Sequence, residues 1–206
     1  MRINAVAGAA ALACMLAAGA GADTPPDGKS VRGMLFDTGR KAAVLVMTDA
    51  GARFSGEEAE ILARAVAGMK YYGALAFSAS GGLTTHVSAM AANFHGVEAA
   101  RRVALAGCEE KRGEGDAPCD VVAVILPRDH VPGRPVTLNQ DASAEFARKH
   151  RRARGAKAFA ASESTGHWGR ADGEPDLAAA IAAAVAACEA KAQGAGDCRA
   201  VSADER

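Results

Sequence analysis

A helical pattern that stops at a cysteine, a short polar loop and a strand pattern that starts at the next cysteine constrain this chain more than any other feature. The passage occurs twice. Cys108 closes the helical pattern of residues 95–111 and Cys119 opens an apolar run through Leu126, while Cys188 and Cys198 hold the same places in a thinner copy over residues 156–204. Around the first pair the order is strand, glycine turn, strand, helix, loop, strand, over residues 72–127. Four cysteines permit three pairings. The nearly equal intervals favour the local ones, Cys108–Cys119 and Cys188–Cys198, each closing a short loop worth about 2–3 kcal/mol. A zinc site made from all four thiolates needs ligands in close pairs of the C-x2-C kind, and these spacings are far wider. The predicted fold class is α+β: a tandem duplication of an (α)ββαβ unit, each copy clipped by a local disulfide.

The amino terminus gives the compartment. Met1-Arg2 is a short basic start, residues 5–18 are apolar and small, and Ala20-Gly21-Ala22 places small residues before Asp23 as a signal peptidase requires. The run is short and rich in alanine, which argues against a spanning helix. Residues 1–22 are therefore expected to be a signal peptide, followed by a first α/β unit with an N-terminal extension (23–127) and a linker with the second unit (128–206). Cys14 stands in Ala11-Leu12-Ala13-Cys14, a degraded lipoprotein signal with its leucine one place late, and makes lipidation a minor second reading. Removing the leader leaves an even number of cysteines for an oxidising compartment. The expected location is periplasmic or secreted, with no membrane span in the mature chain.

Lys+Arg and Asp+Glu number 24 each, so no global field recruits nucleic acid or an acidic membrane, and any charged partner must meet a local patch. Half the chain is hydrophobic, but much of that is alanine and aromatics are only 4%. Alanine buries little area, so the core is thin and covalent clips matter.

Along the chain, Pro25-Pro26-Asp27-Gly28 reads as a flexible lead-in, residues 34–36 as a short strand, and residues 42–47 as a central strand apolar on both faces. Ser55 and Glu58 form a capping box that opens a helix with Ile61, Leu62, Ala65 and Met69 on one face. Strands follow at 73–78 and 83–90 around Gly81-Gly82, then a helix with Val97, Ala100, Ala104 and Cys108 inward, then the strand from Cys119. Residues 127–140 form an ordered linker and residues 141–152 a helix with Ala142 and Phe146 inward. The second copy predicts strands at 156–162 and 167–171 around Thr165-Gly166. Pro175 then sits in the first turn of a helix whose buried side carries Leu177, Ile181, Ala184, Val185 and Cys188. A short strand, 198–201, closes the chain.

Tyr72 to Ser78, Gly81-Gly82, Glu98-Ala99, Ala104-Leu105 with Cys108, and Cys119-Asp120-Val121-Val122 together resemble the bacterial domain of unknown function number 4189. The second copy keeps Ala158 to Ser162, Thr165-Gly166, Trp168-Gly169, Cys188 and Asp197-Cys198, and lacks the Tyr-Gly start. The resemblance implies an exported bacterial protein of unassigned activity and carries over no catalytic residues.

The histidines form no H-E-x-x-H pair. His86 and His95, on a strand and at a helix start, are the candidates for a metal or general-base site if they meet in space. Ser78 and Ser80 lack a nucleophile elbow. Pyridoxal-phosphate chemistry of the 5-aminolevulinate synthase kind needs a far longer chain and a Schiff-base lysine in a deep site, so no cofactor is called for. The sharpest local charge is Arg148-Lys149-His150-Arg151-Arg152-Ala153-Arg154, which suits an anionic surface or an acidic protein face. Taken alone, the run is better read as a solvated helix end whose cations suit the helix C-terminus. Trp168 is a contact anchor or core filler. The leading expectation is an exported, non-enzymatic module that binds a protein or an envelope component through Arg148, Lys149, Arg151, Arg152, Arg154 and Trp168. The alternative is a small enzyme or metal binder using His86 and His95.

Overall fold

The computed structural model describes residues 24–39 and 42–205; the expected leader, with Cys14, lies outside them. Among the described residues, seven strands form two antiparallel sheets. The first contains β1 (Ala43–Met47), β2 (Gly73–Ser78), β3 (Ser88–Ala91) and β4 (Cys119–Pro127) in the order β1-β4-β2-β3. The second contains β5 (Ala156–Ser162), β6 (Trp168–Glu174) and β7 (Cys198–Asp204) in the order β6-β5-β7. Five α-helices accompany them: α1 (Gly28–Met34), α2 (Gly56–Ala65), α3 (Val97–Glu109), α4 (Gln140–Arg148) and α5 (Leu177–Ala192).

Each sheet is covered on both faces. In the first, Ala74 and Ala76 of β2 face α3, whereas Leu75 and Phe77 face Leu62 and Val66 of the α2 region. In the second, Ala158 and Ala160 of β5 face α5, whereas Phe159 and Ala161 face Phe146 of α4 and Val31 of α1. Period-two alternation thus sends small residues to one helix and larger ones to the other. Every residue of β2 and β5 is buried, as strands enclosed on all sides must be.

The two sheets repeat one another in detail. The ladder slips between Leu75 and Ala76 against β4, and between Phe159 and Ala160 against β7. Ser78 stands opposite Cys119, and Ser162 opposite Cys198. Disulfides join Cys108 to Cys119 and Cys188 to Cys198, tying the tail of α3 to β4 and the tail of α5 to β7. Beside each bond a glutamate at the end of the helix accepts the backbone N–H that opens the strand: Glu109 from Cys119 at 2.7 Å, and Glu189 from Cys198 at 2.9 Å. That hydrogen bond, with the Arg112 guanidinium beside it, holds the Glu109 carboxyl below the usual carboxylate range. A lysine further on reaches back to the neighbouring strand, Lys111 to the Ser88 carbonyl at 2.6 Å and Lys191 to that of Trp168 at 2.8 Å.

Local chemistry sets the helix boundaries. Ser55 and Glu58 complete the expected capping box on α2. Asn139 caps α4 and Asp176 caps α5 by accepting from Ala142 and Ala179. The alanine content of α5 gives it high intrinsic helicity, and Gln193, at φ 53°, ends it in the left-handed region.

Several elements depart from the sequence expectations. Residues 34–36 are not a strand, because Asp27 caps α1 by accepting from Lys29 and Ser30 and the helix runs to Met34. Pro25 to Gly28 is not a loose lead-in: the Pro26 carbonyl accepts from Ala203 at 3.1 Å, and the Gly28 N–H donates to Asp204 at 2.9 Å. The N-terminal segment, read as part of the first unit, therefore docks on the second sheet. β1 is an edge strand; its apolar inner face packs on the α2 side of the sheet while Val46 is exposed. Leu62 of α2 and its C-cap Val66 are buried, whereas Ile61 and Ala65 are exposed. Pro175 precedes the Asp176 cap rather than entering the first turn, and the fully buried stripe of α5 is Ala180, Ala184, Cys188 and Ala192. Leu177, Ile181 and Val185 flank that stripe, half-buried.

Candidate functional sites: a buried polar junction and a basic rim

The two halves meet in a polar junction centred on His95. β3 delivers the chain to Asn93, which turns with φ 65°, and then to His95, which is buried. The backbone N–H of Asn139 donates to His95 Nδ1 at 3.0 Å. Nε2 must then carry the proton, and it donates to the His167 carbonyl at 2.9 Å. Asn139, the cap of α4, also donates from Nδ2 to the carbonyls of Asn93 and Gly166, both at 2.8 Å. Burial lowers the His95 pKa to about 4, so the ring is neutral at physiological pH.

This settles the geometry of the two candidate histidines. His86 is exposed just before β3 and His95 is buried just after it, so the strand stands between them. Both nitrogens of His95 are engaged with backbone groups, which leaves no lone pair for a metal or a proton from substrate. Among the described residues, no group of three or more His, Cys, Asp or Glu is placed to hold a metal ion. The Ser78 hydroxyl bonds to the Ala117 carbonyl at 3.0 Å, and that of Ser162 to Asp197 at 2.5 Å, both serving the turns beside them.

The basic run divides by role. Arg148 and Lys149 both pair with Glu145, at 3.0 Å each. His150 opens a 3-10 turn, His150–Arg152, and is fully buried against the rings of Phe146 (4.7 Å) and Phe159 (5.6 Å). Burial, with the Lys157 cation beside it, lowers its pKa to about 4, so it contributes no charge near neutrality. Arg151, Arg152 and Arg154 are exposed, with no ion-pair partner among the described residues. The inward histidine thus works as an anchor that turns the arginines outward. Trp168 lies elsewhere: its ring stacks on Phe159 at 5.2 Å and holds the Lys191 ammonium 4.4 Å from its centre, which makes it a packing residue.

The fold adds cations that the sequence reading left out. Lys29 and Arg32 of α1 join Arg151 around a recess of about 290 Å³, with Lys157, Asp27 and Asp204 completing its lining. Lys157 is buried, donates to the Ala153 carbonyl at 2.7 Å and pairs with Asp204 at 3.3 Å. The signal available in the sequence was Asp27-Gly28-Lys29, a capping aspartate ahead of two basic residues one helical turn apart. A larger recess of about 630 Å³ lies between the halves, bordered by His95, Arg134, Glu163 and Arg199. Its charged groups are engaged: Arg134 lies 3.9 Å over the Phe36 ring and donates to the Met34 carbonyl, and Arg199 pairs with Glu163 at 3.7 Å.

Compared with known proteins, the chain matches no family model, no curated protein and no solved structure.

Proposed function

We propose that this chain is an exported binding module of the cell envelope whose basic face, Arg151, Arg152 and Arg154, engages an anionic envelope component. The observation that carries this reading is the buried His150, seated against Phe146 and Phe159, which anchors a 3-10 turn so that Arg151 and Arg152 on it and Arg154 just beyond it are exposed, with no ion-pair partner among the described residues. Guanidinium groups held in this way suit phosphate and carboxylate oxygens. Two disulfides suit an oxidising compartment. Among the described residues no helix is long and apolar enough to cross a membrane, so the proposed association is peripheral.

The same reading takes the chain as a tandem duplication of an (α)ββαβ unit related to the domain of unknown function number 4189. Its support is the shared ladder slip, the glutamate on each strand start and the lysine on each neighbouring carbonyl.

The test is co-sedimentation with vesicles of phosphatidylglycerol against vesicles of phosphatidylcholine. The protein should pellet with the anionic vesicles only, and salt should release it. Arg152→Glu with Arg154→Glu should weaken the association, and equal retention of variant and wild type would overturn the proposal.

A further inference from the structure

We propose that the recess between α1 and the 3-10 turn is a site for a single phosphate monoester group, held by Lys29, Arg32 and Arg151. This rests on the reading of the basic face as a binding surface, and it names the chemistry at one end of it. Four cations and two carboxylates line the recess of about 290 Å³. Both carboxylates are committed to the protein itself. Asp27 accepts from the backbone N–H groups of Lys29 and Ser30, at 2.8 and 2.9 Å. Asp204 accepts from Gly28 at 2.9 Å and pairs with the buried Lys157 at 3.3 Å.

Subtracting those pairs leaves the rim. Lys29 and Arg32 sit one turn apart on α1, Arg151 faces them from the 3-10 turn, and none has an ion-pair partner among the described residues. The position of the rim is fixed from below, because the Lys157–Asp204 pair joins β5 to β7 and Asp204 holds the start of α1. The four cations outnumber the two carboxylates, so the recess keeps a net positive charge of two and the rim cations repel one another. A dianion with three terminal oxygens offsets that repulsion and supplies one acceptor to each cation. A phosphodiester carries one charge and two free oxygens and satisfies this set less well. The convergence is tertiary, since α1 lies near one end of the chain and Arg151 in its last third.

The experiment titrates the oxidised mature protein with inorganic phosphate by calorimetry, with sulfate and acetate in parallel. Saturable binding at one site, tighter for phosphate than for acetate, is expected. The Lys29→Gln, Arg32→Gln variant should weaken it about ten-fold or more, the scale of one lost charge-assisted contact. Far-UV circular dichroism and a mass map of both disulfides confirm that the variant is folded; the single Arg32→Gln change serves if it is not. Arg152→Glu with Arg154→Glu should leave phosphate affinity within about two-fold while reducing vesicle association, since these two side chains do not line the recess. Vesicles containing phosphatidic acid then separate the sources: competition with phosphate assigns the group to a lipid headgroup, and its absence assigns it to a free phosphate compound. No saturable phosphate binding, or binding unchanged in the Lys29/Arg32 variant, overturns the site. Loss of phosphate binding alone leaves the envelope reading standing, whereas loss of vesicle association alone removes that reading and leaves the site.

Discussion

Gly169 of β6 lies so close to Ala184 of α5 that a β-carbon on the glycine would stand 2.2 Å from the Ala184 carbonyl oxygen and 2.4 Å from the Cys188 nitrogen. The first half solves the same contact the other way round. There the strand carries Ala89 and the helix carries Gly107, whose added β-carbon would meet that of Ala89 at 3.3 Å. One small residue per contact suffices, on either the strand or the helix. Gly169→Ala should therefore push α5 off the sheet and destabilise by about 1–3 kcal/mol. Adding Ala187→Gly, which copies the Ala89 and Gly107 arrangement, should recover part of that loss. Urea midpoints for the two single changes and the double change measure the coupling, and strictly additive losses would refute the exchange.

The polar junction makes a second prediction. Asn139→Ala removes the cap of α4 and strands the carbonyls of Asn93 and Gly166. A cap is worth about 1 kcal/mol, and each buried acceptor left unpaired about 1–3 kcal/mol. We expect a larger loss from Asn139→Ala than from Asp176→Ala, whose side chain caps α5 and makes no second hydrogen bond among the described residues. Thermal melts of the two variants decide the order.

Acid should unfold the protein through its buried histidines. His95 and His150 have pKa values brought down from 6.5 to about 4, in each case by burial first. Lys157 and Arg170 reinforce the effect at His150, against Asp204 and Asp172, while Asp197 and Glu163 partly oppose it at His95. Because the unfolded chain takes up these protons first, the contribution is whole above pH 6.5 and is lost as pH falls toward about 4. Each histidine contributes about 3 kcal/mol over that window. His150→Phe should flatten the pH dependence of the urea midpoint between those limits, and an unchanged slope would contradict the assignment.

Each disulfide closes a short loop and should contribute about 2–3 kcal/mol. Replacing Cys188 and Cys198 by alanine is expected to lower the unfolding free energy read from the urea transition by that amount while leaving Cys108–Cys119 oxidised. Peptide mass mapping of the variant, unreduced, checks the surviving bond. Cys108 and Cys188 are fully buried, so reduction of the native protein should be slow and should accelerate with unfolding.

The sequence was informative wherever a signal is local. The capping box of α2 reads directly from Ser55 and Glu58, and the bounds of β5 from the apolar run at Ala156–Ser162. It misled where neighbours replaced pattern. α1 is short and interrupted by Gly33, so Pro25 to Gly28 reads as a lead-in, and docking on β7 and Phe146 adds to the Asp27 cap to hold it as a helix. Leu177, Ile181 and Val185 look like the inner face of α5, yet the close approach at Gly169 gives that place to alanines. His95 could not be read as a junction residue because its partners lie 44 and 72 positions away.

By itself the sequence determined the order of strands and helices from β1 onward and the pairing of neighbouring cysteines, because capping, periodicity and short loop closure act over a few residues. Only the tertiary structure decided that His150 points inward while the arginines beside it point outward, that the N-terminal helix docks on the second sheet, and that Lys29 and Arg32 come to face Arg151. Those outcomes depend on which apolar faces are covered and which charges are left at the rim, and no local spacing encodes that.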